Sequence, residues 1–122
     1  MIGYVTLGTN DLAKAAAFYD AVLQDIGAKR LWDTPRGVAW GHSEETPVLA
    51  VMTPFDGAPA TVGNGVMVGL NVGTKDAVQK VHQHALQLGG KDEGAVGMRG
   101  DEWYCGYFRD LDGNKLLAFC LV

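Results

Sequence analysis

The chain is poor in cysteine, proline and histidine, carries no cluster of basic residues and contains no long apolar run. Two cysteines, Cys105 and Cys120, cannot build a disulfide framework or a four-thiolate zinc site. They are expected as free thiols packed within strands. Lys+Arg number 10 against Asp+Glu 14, a net charge of −4. Without a Lys/Arg cluster to neutralise phosphates, no nucleic-acid partner is expected. No apolar stretch approaches the roughly 18 residues needed to span a bilayer. Met1-Ile-Gly-Tyr-Val also lacks the basic and apolar segments of a secretion signal. The expectation is a soluble, cytoplasmic protein with no membrane partner.

What the chain does have is glycine: 17 residues punctuating short apolar runs in a chain of 122. That length suits one domain, which buries roughly two-thirds of its unfolded surface. Sliding the chain by 63 positions (68 − 5 = 63) lays Val5 on Val68, Leu7 on Leu70 and Gly27 on Gly90; it also lays Trp40 on Trp103. The identities are few, but the pattern repeats: strand, helix, glycine, then several strands.

In the first half, Val5 and Leu7 alternate with Thr6 and Gly8 in a strand from Tyr4 to Thr9. A helix follows from about Asp11 to Asp25, with Thr9 and Asn10 offering the N-cap and Gly27 the stop. Strands are expected at Ala28 to Trp32, Gly37 to His42 and Val48 to Thr53. The second half repeats this with a strand at Val66 to Val72, a helix from about Thr74 to Leu88, and strands near Ala95 to Arg99, Trp103 to Arg109 and Lys115 to Leu121. An Asp112-Gly113 turn joins the last two. The predicted fold is therefore α+β: two βαβββ modules forming curled mixed sheets around a cleft, with helices on the outer face. Residues 1–122 form a single domain, with module 1 at about 1–55, a Pro/Gly-rich linker at about 54–65 and module 2 at about 66–122. Alternation assigns Val5, Leu7, Val68, Leu70 and Val72 to the helix side. Tyr4, Thr6 and Gly8, with Met67, Gly69 and Asn71, take the cleft side.

Tyr4-Val-Thr-Leu-Gly-Thr-Asn-Asp-Leu12, followed by Ala17-Phe-Tyr-Asp-Ala-Val-Leu23, resembles the opening strand and helix of the vicinal oxygen chelate superfamily. Tyr107-Phe-Arg-Asp-Leu-Asp-Gly-Asn-Lys115 is similar to that family's closing hairpin. The resemblance covers essentially the whole chain and implies the paired-module fold. The activity stays open, because glyoxalase I lyases, extradiol dioxygenases, epimerases, fosfomycin-modifying enzymes and metal-free bleomycin-sequestering proteins share it. In the metal-dependent members four His/Glu-type side chains hold a divalent cation. The resemblance maps those positions onto Tyr4, near Val51, Met67 and Leu117, none of which suits such an ion. No metal and no cofactor are expected; the alternative is a divalent metal at an atypical site in a lyase or dioxygenase.

Other metal sites fare no better on sequence. His82 and His84 lie two apart on a helix, roughly 200° around its axis, and are expected at the surface or rim. Asp110 to Asn114 opens like a calcium loop, but Leu116, Leu117 and Phe119 follow where oxygen ligands are required.

Aromatic residues gather in the outer strands of both halves, either as the core of a small β-rich domain or as walls for a planar or mixed-polarity ligand. The Trp40–Trp103 pairing favours cleft walls. The ligand-binding candidates are Tyr4, Trp40, His42, Met67, Arg99, Trp103 and Tyr107. Arg99 offers a fork for a ligand carboxylate or phosphate, or pairs with Asp101 at the surface. His42 is the weak candidate for a general base. The expected partners are a small-molecule ligand and a second copy in a homodimer, since unpaired strand edges favour association.

Overall fold

Each half of the chain begins with a strand feeding a capped helix, and the caps explain where the helices start. The computed structural model describes all 122 residues, Met1–Val122. Strand β1 (Tyr4–Gly8) leads into helix α1 (Leu12–Gln24). Asp11, rather than Thr9 or Asn10, is the N-cap, its carboxylate accepting from Lys14 N. Thr9 Oγ1 accepts instead from Asp11 N. Asn10 reaches across to the linker, donating to Ala60 O and accepting from Ala60 N. Gly27, with φ 74°, lets the chain leave the helix through the left-handed region.

Strands β2 (Lys29–Asp33), β3 (Gly37–Gly41) and β4 (Val48–Met52) complete sheet A, in the order β1-β4-β3-β2. Strand β1 runs parallel to β4, as a strand–helix crossover requires, and the other pairings are antiparallel. Sheet B repeats this order with β5 (Val68–Asn71), β8 (Lys115–Leu121), β7 (Trp103–Arg109) and β6 (Lys91–Arg99). Helix α2 (Lys75–Gln87), capped by Thr74, links β5 to β6. Strand β6 starts earlier than alternation predicts, because irregularities between Asp92 and Gly94 and between Gly94 and Gly97 break its two-residue period.

Helix α1 packs on sheet A, α2 packs on sheet B, and the helices pack against each other. One hydrophobic cluster therefore joins both modules, including Phe18, Tyr19 and Val22 of α1, Val78 and Val81 of α2, Trp40 and Val51 of sheet A, and Phe108 and Leu116 of sheet B. The two sheets share no strand pairing, and β1 and β5 are free edges. Each sheet has one face against its helix and one face open. Leu7 lies in the core, with Val68, Leu70 and Val72 packed against it, while Tyr4, Thr6, Met67 and Asn71 are exposed. Those residues take the sides that alternation assigned, while Val5 is half-buried and lines a groove with Val66 and Met67.

Polar ties close the junction between modules. Tyr19 Oη donates to Asp110 Oδ2 at 2.6 Å, and Asn114 Nδ2 donates to Gly8 O. Asn10 N donates to Asp112 Oδ1, and His84 Nδ1 sits 2.9 Å from Asp25 Oδ2. His82 is not a surface group: it is buried against β7, its Nε2–H shared between Asp92 Oδ1 and Tyr107 O. Gly106 makes this possible, since a Cβ there would stand 3.1 Å from His82 Cδ2. No helix is long and apolar enough to cross a membrane.

Candidate functional site

The open faces of the two sheets differ in chemistry. On sheet A, register places Thr6 beside Ala50, Gly8 beside Met52, and Ala39 between Ala50 and Trp32. Ala39 and Ala50 are fully buried there, and Tyr4 and Trp32 stand at one end. These two line a groove of about 490 Å³ with Leu31, Val48 and Glu44. At the other end, Met52 and Phe55 line a second groove with Thr6 and Arg36, whose guanidinium lies 5.3 Å from the Phe55 ring centre.

On sheet B, β7 turns Trp103, Cys105, Tyr107 and Arg109 to the open face, beside Leu121, Phe119, Leu117 and Lys115 of β8. The Trp103 and Phe119 rings stack at 4.8 Å with a 35° tilt. Arg99 Cζ and Lys115 Nζ each lie 5.6 Å from the Tyr107 ring centre. Burial, together with the neighbouring Cys105 thiol, pushes the Tyr107 hydroxyl above its ordinary range, and Arg99 opposes the shift. Cys105 and Cys120 are both buried free thiols, and their neighbouring strands turn them to opposite faces.

The expected ligand residues divide accordingly. Tyr4 and Met67 stand exposed on the open faces, at 66% and 42%. Arg99, Trp103 and Tyr107 share the open face of sheet B. Arg99 does not pair with Asp101; its Nη1 and Nη2 donate to Met98 O and Ala95 O. Trp40 is a correction. It is 2% exposed on the helix side, its ring 5.5 Å from that of Tyr19, and its Nε1–H donates to Asp20 Oδ1 at 2.8 Å. Register explains the error: Trp40 opposes Leu49 as Phe108 opposes Leu116, so Phe108 is its true counterpart (108 − 40 = 68). The longer β6 region shifts the repeat from 63 to 68, and an odd shift reverses the face. His42 follows β3 as an exposed loop residue, outside the groove that Glu44 lines with Tyr4 and Trp32.

Val51 also faces the core, opposite Leu7, so Ala50 and Met52 are the open-face residues of β4. Tyr4, Ala50 or Met52, Met67 and Leu117 offer no imidazole or carboxylate, and such a set does not suit a divalent cation. No group of three or more His, Cys, Asp and Glu side chains is placed to hold one elsewhere. Lys115 and Phe119 escaped the sequence reading; they share the strand parity of Leu117, which signals the same face.

Two four-stranded mixed sheets, each with its crossover helix, define a paired βαβββ protein of the glyoxalase type. The chain belongs to the Glyoxalase/Bleomycin resistance protein/Dioxygenase superfamily, whose family model matches residues 1–117. It is similar to a glyoxalase/bleomycin resistance protein from Albidiferax ferrireducens T118, with 30% identity over 98% of each chain and a TM-score of 0.91. A glyoxalase/bleomycin resistance protein/dioxygenase family enzyme from Burkholderia phytofirmans PsJN shares the fold at 18% identity, with a TM-score of 0.77 over 98% of both chains. So does a lactoylglutathione lyase from Agrobacterium tumefaciens at 19% identity, with a TM-score of 0.68 over 98% of this chain and 92% of that one. No curated protein matches the chain.

Proposed function

We propose that the protein is a cytoplasmic small-molecule binder that takes an aromatic or mixed-polarity ligand in a cleft lacking the superfamily's usual metal ligands. The observation that carries this reading is the open face of sheet B, where Trp103, Phe119 and Tyr107 present ring surface beside two cations. Rings with polar tips provide large contact area and a few orienting groups, as ligand sites do. Tyr4 and Met67 extend the binding surface along the strand edges. The shared core supports treating all 122 residues as one domain of two modules joined by the 54–65 linker.

The cleft is completed by a second copy in a homodimer. Strands β1 and β5 leave their edges free, and Ile2, Tyr4, Val66 and Met67 are exposed along them. A groove of about 440 Å³ lined by Val5, Val48, Val66 and Leu70 adds apolar surface there. Such an edge is a pairing site unless covered.

Two measurements test the reading. Light scattering is expected to return twice the 13.0 kDa chain mass, and a monomer overturns the two-chain cleft. Mass spectrometry after incubation with nickel, zinc, manganese and iron, then desalting, is expected to find no retained metal. Close to one ion per chain overturns the metal-free reading in favour of a lyase or dioxygenase with an atypical site.

A further inference from the structure

We infer that the ligand of sheet B is an organic anion carrying an aromatic ring, its charge taken by Arg99 and Lys115 and its ring by Trp103 and Phe119. This narrows the binding reading above and rests on it.

The argument starts from charge. The protein is net negative, yet β5 and β8 contain no carboxylate, nor does β7. Strand β6 has two: Asp92 lies against His82, and Glu93 pairs with Arg109 while its charge also acts on Lys91 and Lys115. Arg99 and Lys115 form no ion pair; the remaining arginine pairs join Arg30 to Asp20 and Asp33. Both cations lie 5.6 Å from one ring centre, so they are at most 11.2 Å apart (5.6 + 5.6 = 11.2). Two cations that share one ring and have no ion-pair partner offer an anion two favourable contacts.

Sequence provides the placement. Arg99 lies back along β6 towards Tyr107 over glycine: a Cβ at Gly97 would stand 3.3 Å from its Nη1, and one at Gly94 would stand 3.5 Å from its Nη2 and 3.0 Å from Tyr107 Cδ2. Side chains at those positions would crowd Tyr107 and press on the guanidinium. The aromatic platform sits one step along the strands, since Phe119 opposes Cys105 and Cys105 is two residues from Tyr107. Two residues of strand span about 7 Å, so the Phe119 position lies within a short side chain's reach of the Tyr107 position. That is the reach of a ring bearing a short acidic side chain. Arg99 supplies forked donors and Lys115 a point charge, so a carboxylate or a phosphate monoester is accommodated.

The test compares probes of one shape and different charge on the full-length protein by calorimetry. 3-Phenylpropionate and phenyl phosphate are set against neutral 3-phenylpropionamide and cationic 3-phenylpropylamine, with the Trp103 indole N–H resonance reporting position. At least one anion is expected to bind about tenfold or more tightly than the amide, the size of one charge-assisted contact. R99Q and K115Q are each expected to erase most of that preference while leaving amide affinity unchanged. An amide or amine that binds as well as the anions overturns the inference but keeps the ligand-binding reading. So does an anion preference that survives in the R99Q/K115Q double variant. No binding of any probe at about 10 mM, weaker than roughly 3 kcal/mol, overturns both.

Discussion

Asp110 is the acceptor on which the junction between the modules converges, and its replacement by Asn is the sharpest test of the packing described above. The side chain is 4% exposed. Its Oδ1 accepts from the backbone N–H groups of Asp112 and Asn114, and its Oδ2 accepts from Tyr19 Oη and Asn114 Nδ2. All four partners donate. An amide of the same shape has one accepting oxygen, so its NH₂ must face two donors whichever way it turns. With the oxygen kept on the backbone pair, the Tyr19 hydroxyl can rotate and accept, but Asn114 Nδ2 cannot. One buried N–H of Asn114 is orphaned while the other keeps Gly8 O, and the remaining bonds lose their charged acceptor. A hydrogen bond to a charged group contributes about 1.5–3 kcal/mol and an orphaned buried group costs about 1–3, so D110N is expected to destabilise by about 3 kcal/mol. Y19F removes one donor and leaves the carboxylate three, at a cost of about 1–1.5 kcal/mol. Because the two groups touch, the double variant should cost about 1 kcal/mol less than the sum of the single ones. The assay is urea unfolding followed by tryptophan fluorescence at fixed protein concentration, since association with a second copy would contribute to stability. For a chain of this size 1 kcal/mol corresponds to about 4 °C in Tm, so D110N should melt roughly 12 °C lower. A D110N protein within about 0.5 kcal/mol of the wild type, or strictly additive costs, would refute the four-donor account.

Two further expectations follow from charge. Burial first, then Asp110, raises the Tyr19 pKa well above its ordinary value of 10.0, so its stabilising effect is fully present below that value. Above it the unfolded chain ionises while the folded tyrosine stays neutral, so stability should fall as pH rises past about 10, and fall less in Y19F; equal slopes in urea titrations at pH 9 to 11 would contradict this. The hydrogen bond from Arg30, with a smaller one from Trp40, holds the Asp20 carboxyl below its usual 3.8. Its contribution is present above that value and lost as pH falls through the lower folded one, so acid unfolding below about pH 4 should be less steep in D20N. D20A should cost about 1–3 kcal/mol by orphaning the buried Trp40 N–H, measurable as a lowered urea midpoint.

Periodicity made the fold legible because it is a local property. Leu7 and Leu70 alternate with Thr6 and Gly69, and that alone separated the helix side from the open side of β1 and β5. Gly27 marked a helix end through backbone chemistry that needs no partner, and the start of the second helix was placed at Thr74, its N-cap. Tyr4 and Met67 could be assigned to open faces for the same reason, whereas Trp103 was placed through a repeat pairing with Trp40 that strand register does not keep. Trp40 could not, since its face depends on how many residues the irregular β6 region adds to the repeat, a count that strand pairing fixes and composition does not. His82 was equally hidden: a histidine in a helix looks solvated until Gly106 of a distant strand is seen to leave room for it.

The sequence by itself determined the two βαβββ modules and the sides of their opening strands. Each of these follows from neighbours along the chain or from side-chain type. Only the tertiary structure decided that Asp110 gathers four donors at the module junction, that the core binds both helices between modules, and that Arg99 and Lys115 each come within 5.6 Å of the Tyr107 ring centre. Those arrangements depend on register between strands and on contacts between residues as many as 106 positions apart, as Gly8 and Asn114 are. Distance along the chain does not encode which of many compatible side chains will meet; pairing of the strands and closure of the core do.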